Sequence, residues 1–184
     1  MQTCFLNFLK YDEYLEWLKR AQEQKLGEMV IITKHDACIT LGSTSSQSEI
    51  LEKTNLPVYL SNRGGGATYH DSGQLVLYPR IALKKRLLNI TEYIHLLEQW
   101  AIDALDQVGI EAFGQTQPGL WIRPNEADER SGRDEEKSAH KVAFIGLAIR
   151  NGFTEHGIAF NLHSCNLSNF DKIIPCKTRQ KIGK

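Results

Sequence analysis

The sequence predicts an α+β fold, and three observations lead there. Apolar residues at 94, 97, 101, 104, 105 and 108 recur at helical spacing. Short runs rich in β-branched and aromatic residues stand on both sides of that stretch. Turn signals join two pairs of these runs, at Asp71-Ser72-Gly73 and at Arg150-Asn151-Gly152. A long helix set between strand groups is the pattern of a layered α+β domain. With 184 residues, the expectation is one domain over 1–184 with a substantial core.

Composition narrows the function classes. At 41% hydrophobic and 24% charged residues, the chain reads as a soluble globular protein. Its 22 basic and 22 acidic residues cancel, which argues against a strongly basic nucleic-acid binder. No run approaches the roughly 18 apolar residues of a membrane span. The start of the chain lacks the pattern of a secretory or transit segment, so the expected location is cytoplasmic, or that of a matured organellar form. The four cysteines, Cys4, Cys38, Cys165 and Cys176, form no Cys-x-x-Cys pair. His35 lies near Cys38 and His163 near Cys165, but neither pair has a second half. No metal site is predicted.

The elements follow in order. Residues 11–26 form an amphipathic helix, with Tyr11, Tyr14, Leu15, Leu18 and Ala21 on one face and Gly27 as its stop. Residues 29–33 and 37–41 are strands joined by the polar turn Lys34-His35-Asp36. His35 therefore reads as an exposed turn residue. Ser43 to Ser46 cap a short helix over 47–51. No Gly-x-Ser-x-Gly elbow surrounds these serines, so they are not read as nucleophiles. Residues 57–60, 67–69 and 74–78 are strands, and Pro79 ends the last. The helix at 91–108 is capped by Thr91 and closed by Gly109. His95 on it is a surface residue. Residues 119–123 form a strand with Trp121 packed, and the charged run at 124–140 is a solvated hairpin tip. Strands at 141–149 and 153–161 follow, then a turn or short helix at 167–173.

One stretch carries chemistry. Arg63-Gly64-Gly65-Gly66-Ala67-Thr68-Tyr69-His70 sets three glycines between an arginine and a polar-aromatic cluster. Glycine lets a ligand approach the main chain, at a cost in conformational entropy. Successive backbone N–H groups in such a loop cradle an anionic or carbonyl-bearing ligand. Arg63 would add fixed charge, and Thr68, Tyr69 and His70 would add side-chain donors. The plain alternative is a flexible turn. There is no Gly-Lys-[Ser/Thr] and no Gly-x-Gly-x-x-Gly opening a helix, so this is not a nucleotide loop of either type. Further on, Gly146, Gly157, Ala148 and Ala159 leave room on one face of a hairpin. In Ile174-Pro175-Cys176, the thiol follows a proline and sits between Lys172 and Lys177. A positive field there favours thiolate. The residues alone leave a buried structural cysteine equally open.

The signature, running on to Leu77-Tyr78-Pro79, resembles that of the lipoyl(octanoyl) transferases. These share a superfamily with lipoate–protein and biotin–protein ligases. Lys141-Val142-Ala143-Phe144-Ile145-Gly146, the run from Thr154 to Asn161, and Ile174-Pro175-Cys176 resemble further blocks of the same family. The sequence departs from the family at Asn166, where aspartate is usual, and at Lys177, where glycine is usual. The resemblance implies a biotin/lipoate protein ligase-like catalytic domain of mixed, largely antiparallel sheets packed with helices. It implies transfer of an octanoyl or lipoyl group from acyl carrier protein, through a cysteine thioester, to a lysine of a lipoyl domain. The acceptors would be 2-oxoacid dehydrogenases or the glycine cleavage H protein.

Cys176 would be the nucleophile, and Lys141 would lower its pKa and shuttle protons. Arg63, Gly64, Gly65, Gly66, Ala67, Thr68, Tyr69 and His70, with Phe144, Ile145, Gly146, Gly157, Ile158 and Ala159, would bind the acyl donor. No cofactor, nucleic acid or membrane enters. The alternatives are an ATP-dependent lipoate–protein ligase and a non-catalytic acyl- or carrier-binding module. The ligase signature usually has valine where this chain has Thr68 and asparagine where it has Gln74.

Overall fold

The computed structural model describes residues 1–123, 139–162, 164–175 and 181–184. Cys176, Lys177, His163 and nearly all of the charged run at 124–140 lie outside the described residues.

The strands are β1 (Gln2–Phe5), β2 (Met29–Thr33), β3 (Cys38–Leu41), β4 (Val58–Leu60), β5 (Ala67–His70), β6 (Gln74–Arg80), β7 (Ala112–Phe113), β8 (Gly119–Ile122), β9 (His140–Arg150) and β10 (Phe153–Asn161). The helices are α1 (Tyr11–Glu23) and α2 (Ile90–Asp106). Short 3₁₀ turns cover Gln47–Glu49, Leu83–Arg86 and Leu167–Lys172. A seven-stranded sheet runs β1-β2-β6-β10-β9-β8-β7, and a three-stranded sheet runs β4-β3-β5. Among the described strands, only β1 with β2 and β4 with β3 pair in parallel. The expected mixed, largely antiparallel α+β architecture is present. Among the described residues, no helix is long and apolar enough to cross a membrane.

The seven-stranded sheet has two covered faces. Alternate residues of a strand point to opposite faces. Leu77, Ile158 and Phe160 therefore face α2, where Tyr93, Leu97 and Ala101 close the core. Val76, Tyr78 and Ala159 face α1, against Tyr11, Tyr14 and Leu18. Beside them, Ile39, Leu41, Ala67 and Tyr69 of the smaller sheet pack with Phe144 and Phe170. Burying an aliphatic or aromatic side chain of this size stabilises by about 1.5–3 kcal/mol.

Several element ends differ from the sequence reading. α1 stops at Glu23, and Lys25 at φ 51°, not Gly27, takes the left-handed position past its end. α2 is capped by Asn89, not Thr91. The Asn89 side chain accepts from the Glu92 amide at 2.9 Å, and Glu92 accepts from the Asn89 amide at 2.8 Å. Ala104 and Val108 of the predicted stripe are exposed, and Val108 lies past the end of α2. β1 was not expected; it is an exposed edge with no alternation to detect. β6 runs through Pro79 to Arg80. Its pairing with β10 stops at Leu77–Ile158, and the Pro79 carbonyl accepts from Thr154 Oγ1 instead. A missing N–H costs little where the ladder has already opened. The β9–β10 turn is as expected, with Asn151 at φ 52° and Gly152 at φ 81°.

Candidate active site

The floor of the site is a patch of sheet cleared by small residues. Phe144, Ala159 and Val76 lie side by side across β9, β10 and β6. Gly146 and Gly157 stand opposite each other in the next row of the same face. Over this patch sit Arg63, Gly64 and Gly65, with Thr68 and His70 of β5. Together they enclose a narrow cavity of ≈ 40 Å³. Ile145 and Ile158 also border it.

The glycine loop is held by its backbone. The Gly64 amide donates to Leu147 O at 2.7 Å, and the Gly66 carbonyl accepts from the Gly42 amide. Gly65 takes φ +89°, which an L side chain rarely adopts. A Cβ on Gly146 would sit 3.0 Å from Arg63 Cδ, so the glycine is what lets the arginine lie down on the floor. The amides of Gly65 and Gly66 have no hydrogen-bond partner among the described residues. The Thr68 hydroxyl is buried and also lacks one. Of these, Gly65 and Thr68 border the cavity, where an unmet donor gains most from a ligand oxygen.

Arg63 does more bracing than the sequence suggests. Its guanidinium donates to Thr40 O at 2.8 Å, to Thr40 Oγ1 at 2.8 Å and to Gly64 O at 3.1 Å. Tyr69 points away from the cavity. Its ring meets Phe170, and its hydroxyl donates to Asp71 and accepts from Asn169. Gly66 and Ala67 stay in the main-chain frame. The Ala67 amide donates to Glu49 Oε2 at 2.6 Å, and Ala67 bridges to Pro175.

Lys141 is 1% exposed. Its ammonium donates to Pro118 O at 3.0 Å and lies 4.6 Å from the Trp121 ring centroid and 5.2 Å from that of Phe144. Carbonyl and ring faces together stabilise a buried cation. Gly119 leaves room for it: a Cβ there would be 2.5 Å from Lys141 Cε. The Lys141 backbone is fixed from the far end of the chain, by Lys181 O and the Gly183 amide. Phe144 borders both the cavity and the ammonium, so the two adjoin at β9. Pro175, which precedes Cys176, pairs with Ala67 at the glycine loop, while Ile182 pairs with Lys141.

The sequence reading missed the inner half of the cavity. Tyr11, Val76, Tyr78 and His156 also line it. Their signal was ordinary core periodicity, which does not separate a packed ring from a cavity wall. His35 is fully buried rather than exposed; its ring joins Leu9 O to the Tyr78 hydroxyl. The turn holding it folds under α1, and local polarity could not reveal that. Burial holds His35 down to about 4 and both His70 and His156 down to about 3. His70 Nδ1 faces Gln74 Oε1, whose amide nitrogen donates elsewhere, so Nδ1 carries the proton. The histidines are neutral at pH 7. Burial also pushes the Cys38 and Cys165 thiols up to about 12, which makes both poor nucleophiles. A narrow, mostly apolar slot with neutral histidines, a braced Arg63 and a buried ammonium beside it suits an apolar chain that carries a reactive carbonyl.

A second, larger groove of ≈ 950 Å³ lies on the opposite sheet face, under the end of α2. None of the predicted binding residues lines it.

The same architecture occurs in solved ligases. A lipoate-protein ligase A bound with ATP superposes with TM-score 0.69 at 17% identity, over 100% of this chain and 76% of that one. A putative lipoate protein ligase from T. acidophilum with bound lipoic acid gives 0.68 at 16% identity, over 99% and 75%. A biotin acetyl coenzyme A carboxylase synthetase from Helicobacter pylori gives 0.53 at 12%, over 90% and 64%. These define a lipoate/biotin protein ligase fold. Residues 6–184 match the lipoyl protein ligase A/B catalytic domain, and the chain belongs to that family. Its curated relatives include the octanoyltransferase of Rickettsia bellii (strain OSU 85-389), 35% identical over 88% of this chain and 73% of that one. The octanoyltransferase of Bartonella quintana (strain Toulouse) is 32% identical over 92% and 70%.

Proposed function

We propose that this chain is an octanoyltransferase acting in protein lipoylation, with residues 1–184 as one catalytic domain. It takes an octanoyl or lipoyl group from acyl carrier protein and passes it to a lysine of a lipoyl domain. The acceptor is a 2-oxoacid dehydrogenase or the glycine cleavage H protein, and the setting is cytoplasmic. The observation that carries this reading is the mostly apolar slot bordered by Thr68 and Gly65, whose donors have no partner among the described residues, adjoining the buried Lys141 ammonium.

The chemistry balances without ATP. The Cys176 thiolate attacks the donor thioester carbonyl. The oxyanion is met by loop amides and the Thr68 hydroxyl, which stabilise it more than the ground-state carbonyl. The pantetheine sulfur leaves and takes a proton from Lys141. The acceptor lysine amine then attacks the Cys176 thioester and yields its proton to Lys141. Collapse forms the amide and returns the thiolate beside an ammonium. Exchange between thioesters is nearly even in free energy, and amide formation draws the sequence forward.

The test is incubation with octanoyl-acyl carrier protein and no ATP, followed by intact mass and peptide mapping. The expected result is one octanoyl adduct on Cys176, discharged by a lipoyl domain. Modification that needs ATP would support a ligase, and binding without an adduct would support a carrier-binding module. An adduct on Cys4, Cys38 or Cys165 would overturn the nucleophile assignment.

A further inference from the structure

The cavity has a direction. Its reactive end is at β9, where Phe144 touches both the slot and the Lys141 ammonium. From there the floor crosses β10 at Ala159 and reaches β6 at Val76. Two strand spacings of ~4.8 Å make ~10 Å, about the extended length of an eight-carbon acyl chain. At the β6 end stands Tyr11, the first residue of α1. Its ring stacks on His70, with centroids 5.8 Å apart, and is backed by His35 and Tyr59, both at 5.4 Å. Its hydroxyl donates to Ser61 Oγ at 3.1 Å, tying the helix start to the segment just before the glycine loop. Tyr11 is 2% exposed.

Resting on the acyl-transfer reading of this site, we propose that Tyr11 is the end wall that sets acyl chain length, and so a specificity-determining residue. A chain entering beside Lys141 and lying across Ala159 and Val76 meets the Tyr11 ring after about eight carbons. Among the described residues, nothing else bordering the slot comes from outside the sheet and the glycine-loop hairpin, so Tyr11 is the one of them that can be shortened without disturbing floor or roof. Beyond it lies half-buried Tyr59, and Tyr11→Ala opens the slot toward that surface.

The experiment uses the full chain and two readouts. The first is turnover on hexanoyl-, octanoyl-, decanoyl- and dodecanoyl-acyl carrier protein. The second is equilibrium binding of the free alkanoates of the same lengths, which needs no catalysis. Wild type should prefer octanoyl on both and fall away at dodecanoyl. In Tyr11→Ala the optimum should move to decanoyl or longer, with a change of about tenfold in the decanoyl-to-octanoyl ratio, the worth of burying two further methylenes. Tyr11→Phe should keep the wild-type profile, because the ring and not the hydroxyl forms the wall. Tyr11→Leu, closer to native volume, should shift the optimum by less and serves if the alanine variant does not fold. Wild-type binding that strengthens steadily from octanoate to dodecanoate overturns the wall whatever the variants do. So does a folded Tyr11→Ala or Tyr11→Leu with an unchanged profile. Length-limited alkanoate binding without any acyl transfer would instead sink the transferase reading and leave the wall standing.

Discussion

The Glu98 carboxylate, carried on α2, accepts a hydrogen bond from the Gly119 amide at 3.0 Å. Gly119 follows Pro118, whose carbonyl receives the Lys141 ammonium. A buried acid on the far helix thus fixes the strand start that holds the lysine. Glu98→Ala leaves the amide unpaired and should cost about 1–3 kcal/mol, measured by urea denaturation. Glu98→Gln keeps an acceptor and should retain most of that stability. An alanine variant as stable as wild type would show the bond to be dispensable.

Lys141 should govern the reactivity of Cys176. An ammonium nearby favours the thiolate, so its loss raises the thiol pKa. In Lys141→Ala, alkylation of Cys176 by iodoacetamide should slow near neutral pH, and its pH profile should move upward. Transfer should fall further than alkylation, because the proton carrier is also gone. Lys141→Arg should restore part of the alkylation rate but little turnover, since guanidinium does not release its proton. An identical alkylation profile in wild type and Lys141→Ala would refute the coupling.

Thr68 separates function from stability. Its hydroxyl is buried without a partner among the described residues, a desolvation cost borne by the folded state. Thr68→Val should leave stability unchanged or raise it by up to about 1 kcal/mol, while kcat/KM for octanoyl transfer falls by tenfold or more. Thermal melts and initial rates decide this together. A destabilised variant with full activity would reverse the assignment.

Three buried histidines make stability depend on pH. Their folded pKa values, about 4 for His35 and about 3 for His70 and His156, lie below the usual 6.5. Between those values the unfolded chain binds more protons than the folded one. Stability is therefore complete above pH ~6.5 and declines as pH falls toward 4, by up to about 1.4 kcal/mol per unit for each histidine. Melting temperatures at pH 7.5, 6, 5 and 4.5 should fall in step, and His35→Gln should flatten the decline. A flat profile across this range would mean that the rings are solvated.

The fold was legible where periodicity and turn chemistry act locally. α1, the core of α2 and the Asn151-Gly152 hairpin follow from spacing and from residues that accept positive φ. The glycine loop stands out in the sequence, and in the structure Gly64, Gly65, Thr68 and His70 line the cavity. Strand alternation sends Tyr69 to the other face, against Phe170. What escaped was long-range. His35 looks like a turn residue until α1 folds over it. Tyr11 looks like helix core, because a helical stripe says which side is buried and not what it is buried against. Pro79 looks like a strand end, and only the opening of the β6–β10 ladder explains its place inside one.

The central position of β10, between β6 and β9, also bears on how the protein reaches its native state. Val76 and Ala159 are neighbours in the floor although nearly half of the chain separates them. The β9–β10 hairpin closes locally and fast, but its pairing with β6 must wait for a long loop to close. Until then the hairpin carries an unpaired apolar edge, open to association with other chains. The hairpin alone carries the β9 and β10 part of the floor, whereas the β6 floor, the roof and the end wall come from segments distant in the chain. Capacity to bind an acyl chain should therefore appear with the slow phase of refolding, all at once.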